Sequence, residues 1–171
     1  SDLHYQVGDR EITLEPVNED RDVFVVLENG ENILLEDFYV TKYPDLLDGI
    51  LIFSKYERSD FGTSFVVYSD GTNQLLTFPV DARFSGNDKY LYYPDVFEDA
   101  IGCVNARTGE NWYLKIETNG KEYNEMHNVV TDGEYLYTCG PAGGETALWK
   151  LVYDEESKPV CMSLLDDDIK N

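Results

Sequence analysis

Apolar residues in this chain come in short runs separated by turn residues, and their type favours strands. No window places them at i, i+3, i+4 and i+7, while the runs are rich in Val, Ile, Tyr and Phe, which suit a pleated surface better than a helix. Glycines preceded by Asp or Asn punctuate the runs, as in Asn29-Gly30, Asp48-Gly49, Asp70-Gly71 and Asp132-Gly133. Gly supplies the positive φ that tight hairpins need, and Asp and Asn tolerate the strained position before it. The pattern predicts strands throughout, with Leu46-Leu47 as the one place for a short turn of helix.

The runs repeat. Phe24-Val25-Val26-Leu27, Glu28-Asn29-Gly30 and Ile33-Leu34-Leu35 match Phe65-Val66-Val67-Tyr68, Ser69-Asp70-Gly71 and Gln74-Leu75-Leu76, 41 residues on and without a gap. Ile50-Leu51-Ile52-Phe53 corresponds to Tyr90-Leu91-Tyr92-Tyr93, 40 residues on, and that run to Tyr135-Leu136-Tyr137-Thr138 after a further 45. This divides one domain over 1–171 into units of about four strands at 3–38, 39–78, 81–117 and 122–166. In the third unit the return strand runs from Asn111 to Ile116.

Four-stranded units at this period are the signature of a β-propeller, in which each unit is a blade. One blade cannot bury both faces alone, so neighbours stack. The predicted fold is therefore all-β, a propeller-like array of about four antiparallel blades. It forms a closed four-blade ring, or it is part of a larger propeller, and an open ring would favour a homodimer.

Composition narrows the function classes. The 171 residues include 34 acidic and 13 basic side chains, a formal net charge of −21. Binding to nucleic acid or to an anionic membrane surface needs clustered Lys and Arg, so neither is expected. The longest apolar run, Val23 to Leu27, is far short of the roughly 20 residues of a spanning helix, so no membrane insertion is expected. Ser1-Asp2-Leu3 has no basic or apolar leader, so a secretory signal is either removed or was never there. Cys103, Cys139 and Cys161 lack the spacing of a zinc site and read as buried thiols, or as one disulfide and a free thiol.

In the third unit, Asn105-Ala106-Arg107-Thr108-Gly109-Glu110-Asn111-Trp112 resembles two propeller patterns. One is the quinoprotein-type repeat, whose Asp-Ala-x-Thr-Gly turn precedes a tryptophan that docks between blades. The other is the Asp box of sialidase-type propellers, where Asn105 and Arg107 replace the Ser and Asp markers while Gly109 and Trp112 are kept. The Tyr-Leu-Tyr strands and Leu148-Trp149-Lys150-Leu151 are similar to the degenerate propeller repeats of bacterial secreted proteins. That resemblance covers three units well and the first poorly. It implies architecture, with Trp112 as a blade-packing residue, and an extracellular or cell-surface bacterial setting; it implies no catalytic residue.

Catalytic motifs are missing from the sequence. His4 and His127 are the only histidines, and there is no GxSxG elbow, HExxH, Walker loop or phosphate turn. Gly140-Pro141-Ala142-Gly143-Gly144 reads as a flexible loop between strands. Calcium is conceivable at Asp95, Glu98 and Asp99, or at Asp166-Asp167-Asp168, although neither has a dedicated calcium-loop spacing; otherwise no cofactor is expected.

Within a four-stranded blade, the loop between the second and third strands shares a side with the connection into the next blade. That rule gathers Tyr56, Glu57, Arg58, Asp60 and Phe61, then Asp95, Phe97, Glu98 and Asp99, then Tyr123, Glu125 and His127. Aromatics among carboxylates at loop tips make a recognition surface, unless Phe61 and Phe97 fold back as plugs. The expected function is a non-enzymatic module presenting this acidic, aromatic face to a protein or glycan. The alternatives are a carbohydrate-active hydrolase with a carboxylate pair and an acidic inhibitor that mimics the charge of a basic protein's ligand.

Overall fold

The structure, a computed structural model, describes residues 3–21, 23–33, 38–39, 44–55, 60–79, 82–123 and 125–167. These build four successive sheets, antiparallel but for one parallel pair in the fourth, in two compact units, Ser1–Asp81 and Ala82–Asn171. The chain is all-β and blade-like in strand order, as the repeat predicts.

In the first unit, the first sheet contains β1 (His4–Val7), β2 (Arg10–Pro16), β3 (Val23–Glu28) and β4 (Glu31–Asn32), with β5 (Phe38–Tyr39) also paired to β3. Asn29 at φ 51° and Gly30 at φ 80° form the two-residue β3–β4 turn, the left-handed pair that a tight hairpin requires. The second sheet contains β6 (Asp45–Leu47), β7 (Ile50–Ser54), β8 (Phe61–Tyr68) and β9 (Asn73–Pro79). Leu46 and Leu47 are thus strand residues, paired with Leu51 and Ile50, and not a turn of helix. The Asp48-Gly49 hairpin commits both leucines to the ladder, which overrides their helix propensity.

The sheets of the first unit pack through Val7, Ile12, Leu14, Phe24 and Val26 against Leu51, Phe53, Phe65 and Val67, with the Phe53 and Phe65 rings stacked at 6.4 Å. Beside this core sits Arg10, buried despite its charge. Its Nε and Nη2 donate to the Glu28 carboxylate at 2.7 and 2.9 Å, Nη1 to the carbonyls of Tyr68 and Thr72 at 2.8 and 2.9 Å, and Nη2 also to Asn73 Oδ1 at 2.9 Å. All five guanidinium N–H groups are therefore satisfied, and β2 of one sheet is fastened to the β8–β9 turn of the other.

In the second unit, the third sheet contains β10 (Ser85–Gly86), β11 (Tyr90–Asp95), β12 (Ala100–Asn105) and β13 (Asn111–Tyr113). The fourth contains β14 (Lys115–Glu117), β15 (Asn128–Thr131), β16 (Tyr135–Cys139), β17 (Thr146–Tyr153) and β18 (Pro159–Asp167), in the order β14-β18-β17-β16-β15. The return strand expected from Asn111 to Ile116 is divided. Leu114 is buried and still hydrogen-bonds to Ile101, after which β14 leaves the third sheet and pairs parallel with β18, Lys115 opposite Cys161. That transfer covers part of an edge that would otherwise present unpaired backbone groups.

The core of the second unit gathers Tyr92, Ile101, Cys103, Leu136, Trp149, Met162 and Leu164. Trp149, fully buried, donates its Nε1 proton to Thr138 Oγ1 at 2.8 Å. Trp112 bridges the two sheets as the blade-packing reading implies. Its Nε1 donates to the Pro159 carbonyl at 2.8 Å, its ring meets Tyr90 edge-on at 6.1 Å, and Lys158 Nζ lies 4.1 Å above it. In the turn before it, Asn105 Oδ1 accepts the amides of Arg107 and Thr108, performing locally what an Asp would.

The three cysteines are free thiols, with Cys103 and Cys161 buried and Cys139 partly exposed. Burial raises the pKa of the Cys103 and Cys161 thiols, so both stay protonated at neutral pH. Among the described residues no helix is long and apolar enough to cross a membrane.

Candidate functional site

The β11–β12 connection is a four-residue tip, Val96 to Asp99, between the paired residues Asp95 and Ala100. Asp95 Oδ1 accepts the amides of Phe97 at 3.2 Å and Glu98 at 3.3 Å, and its Oδ2 accepts the Tyr113 hydroxyl at 2.6 Å. One carboxylate thus ties the tip to β13. The chain returns through Asp99 at φ 47°, a left-handed position that Asp tolerates. The bond to Asp95 raises the Tyr113 phenol pKa, and burial adds to it, so this donor keeps its proton well into the alkaline range. Held this way, Phe97 is 95% exposed and does not fold back over the blade end. Glu98 and Asp99 flank it, also exposed.

The remaining candidates fall in different settings. Asp60 is exposed, and Phe61 opens β8 in the first unit, 48% exposed and paired with Pro79. Tyr56 and Arg58, with Glu57, lie outside the described residues. In the second unit Tyr123 packs edge-on against Trp149 at 5.5 Å, so its ring belongs to the core. His127 Nε2 lies 3.2 Å from the carboxylate of Glu125, and the His127 amide donates to the Cys139 carbonyl at 2.8 Å. This stitches the link before β15 to the end of β16, where the β16–β17 loop begins; within that loop Pro141–Gly143 form a single 3-10 turn.

Within the second unit the tips sort by end. Thr131 donates its amide to Ser85 Oγ at 3.1 Å, and Lys158 Nζ lies 2.8 Å from Glu110. These bonds bring the β10–β11, β12–β13, β15–β16 and β17–β18 turns to one end. The Asp95–Asp99 tip, Glu125, His127 and the β16–β17 loop therefore lie at the other, because each strand reverses direction. Among the described residues no three His, Cys, Asp or Glu side chains converge as metal ligands, and both oxygens of Asp95 are engaged by the tip and Tyr113.

Two features were not singled out from the sequence. Tyr113 is one; its pairing with Asp95 spans eighteen residues and leaves no local mark. The other is a depression of about 350 Å³ on the fourth sheet, lined by Val130, Thr131, Asp132, Tyr135, Tyr137 and Leu148. A signal for it exists, since Thr146-Ala147-Leu148-Trp149-Lys150-Leu151-Val152-Tyr153 places apolar residues in both phases of a strand.

No protein-family model matches the sequence, and no curated protein matches it. Among solved structures, the chain is similar to Kluyveromyces lactis Hsv2, with a TM-score of 0.48 and 9% identity over 96% of this chain and 72% of that one. A second Kluyveromyces lactis Hsv2 structure gives a TM-score of 0.45 at 12% identity over the same shares. A chain of a nidogen/laminin complex gives 0.39 at 13% identity, over 97% of this chain and 61% of that one.

Proposed function

We propose that the protein is a non-enzymatic interaction module that presents the Asp95–Asp99 tip to a partner protein. The exposure of Phe97 supports this reading most directly: a phenylalanine almost wholly in water, at the end of a tip already ordered by Asp95 and Tyr113, gains nothing for folding. An aromatic on a tip whose backbone is already ordered is the kind of residue that anchors an interface, because little loop entropy remains to be lost on binding. The partner would offer an apolar pocket with a basic rim to match Glu98, Asp99 and the net charge of −21. Asp95 serves as a structural acceptor in this reading, with no role as a hydrolytic acid or base.

The test places a photo-crosslinking phenylalanine analogue at position 97 and, as control, at the exposed Leu75. The expected result is a saturable adduct formed only from position 97, competed by the unlabelled wild-type protein and not by Phe97→Ala. Equal adducts from both positions, or competition by Phe97→Ala, would exclude the tip as the contact.

A further inference from the structure

β9 is the last strand of the second sheet, and the ladder on its inner side shows which of its backbone groups point outward. Lys55 donates its amide to Thr63, Ser69 to Gly49 and Tyr68 to Thr72, so the odd-numbered residues of β8 bond β7 and the even-numbered ones bond β9. Through the β8–β9 register, Gln74, Leu76 and Phe78 commit their N–H and C=O groups to Val66, Ser64 and Gly62. Asn73, Leu75 and Thr77 therefore aim theirs away from the sheet. Among the described residues no backbone bond reaches these outward groups, and all three residues are exposed, Leu75 at 54%.

Open edges of this length are usually guarded by charge. This one is not: the β8–β9 hairpin, Phe61–Pro79, contains a single charged residue, Asp70, in a chain that is 27% charged. The fourth sheet treats the same edge differently, since its last antiparallel strand, β18, is capped by β14. β9 has no such cap among the described residues. Charge selects the strand that would fill the place. A basic peptide would find no carboxylate along Asn73–Thr77, whereas two copies carrying −21 each approach most easily through a stretch without charge. The edge also fits itself. A two-fold axis at Leu75 sets Leu75 against its own counterpart and Asn73 against Thr77 of the second copy, apolar opposite apolar and polar opposite polar, with the outward N–H and C=O groups meeting in pairs. The next outward residue is Pro79, which has no N–H and ends the ladder.

We propose that β9 is a self-pairing edge, which joins two copies of the protein into one continuous antiparallel sheet. Isologous pairing occupies the edge of both copies, so assembly through it stops at two. The proposal is independent of the Phe97 tip, which belongs to the second unit. An adduct formed from position 75 by this route contains two copies of this chain and no partner protein, which keeps it apart from the product captured at position 97. Long-range repulsion between the two acidic bodies opposes the pairing, and salt screens it while leaving the backbone ladder intact. Association therefore strengthens as salt is added.

The experiment is sedimentation equilibrium on the full chain over about two decades of protein concentration, at low and at high salt. The expected mass rises with concentration from 19.6 kDa towards twice that value, more readily at high salt. Thr77→Pro removes one outward donor from each copy and no β8–β9 bond. It should raise the dissociation constant about 10-fold or more while exchange of the β8 amides stays as in wild type. Leu75→Cys, treated with oxidised glutathione, should give a disulfide-linked dimer, because opposed Cα atoms in such a pair lie about 5.5 Å apart. Thr77→Cys should give no more of it than wild type, since its own counterpart lies beyond disulfide reach in this register. A mass of one chain under every condition would overturn the proposal. So would a dimer indifferent to Thr77→Pro, or equal cross-linking from positions 75 and 77.

Discussion

Arg10→Met isolates the contribution of the buried guanidinium. The substitution keeps the apolar stem and removes five hydrogen bonds, two of them to a carboxylate. Two of the abandoned acceptors retain a donor: the Tyr68 carbonyl keeps the Gly71 amide and the Thr72 carbonyl keeps the Tyr68 amide. The loss is therefore dominated by Glu28, whose side chain is 24% exposed and regains only partial hydration. Breaking a buried ion pair by removing one partner costs about 3–5 kcal/mol, and these two mitigations place Arg10→Met near 3 kcal/mol. Arg10→Lys should recover only part of this, because an ammonium cannot fork between Glu28 and the β8–β9 turn.

Both tryptophans, Trp112 and Trp149, lie in the second unit. The assay is accordingly hydrogen exchange of the β2 and β3 amides, which reports on the first unit locally. The pH dependence supplies a second check. The hydrogen bond from Arg10, with its charge, holds the Glu28 carboxyl below its usual 4.5. Its stabilisation is present above that pH and disappears as pH falls through the lower folded value. Wild type and Arg10→Met should converge in acid. A loss under about 1 kcal/mol, or a difference that persists unchanged into acid, would refute the reasoning.

Two further predictions concern the second unit. Gly86 sits at φ 135°, where an added Cβ would collide with the Tyr90 carbonyl oxygen, so Gly86→Ala should cost about 2 kcal/mol or more, read by urea denaturation followed through the fluorescence of Trp112 and Trp149. Tyr113 has its pKa raised by its bond to Asp95 and by burial, so its contribution is complete below the ordinary phenol value of 10.0 and falls as pH rises beyond it. Tyr113→Phe should flatten that alkaline decline and speed exchange of the Phe97 and Glu98 amides, and unchanged exchange would show that the tip does not depend on Tyr113.

Strand positions were legible wherever the signal was local. Tyr135–Cys139 and the hairpin at Asp48-Gly49 follow from composition and turn chemistry alone. Exposure of Phe97 was not legible, because a phenylalanine in an acidic loop reads equally as a plug or as an anchor. The division of the Asn111–Ile116 run was also hidden, since Leu114 looks the same to either sheet and only the position of β18 decides where β14 pairs. Tyr123 was grouped with the loop face, and its ring lies on Trp149 because the link before β15 folds inward.

The sequence by itself determined the repeat, the strand content and the turns, because alternation, β-branching and glycine dihedrals act within a few residues. It determined the acidic balance in the same direct way. Tertiary structure decided which residues carry those strands' relations to each other: the five-donor seat of Arg10, the transfer of β14, and the clamp of Tyr113 on Asp95. Each joins residues remote in the chain. Their energies come from desolvation and hydrogen-bond geometry, which have no value until the partners are brought together.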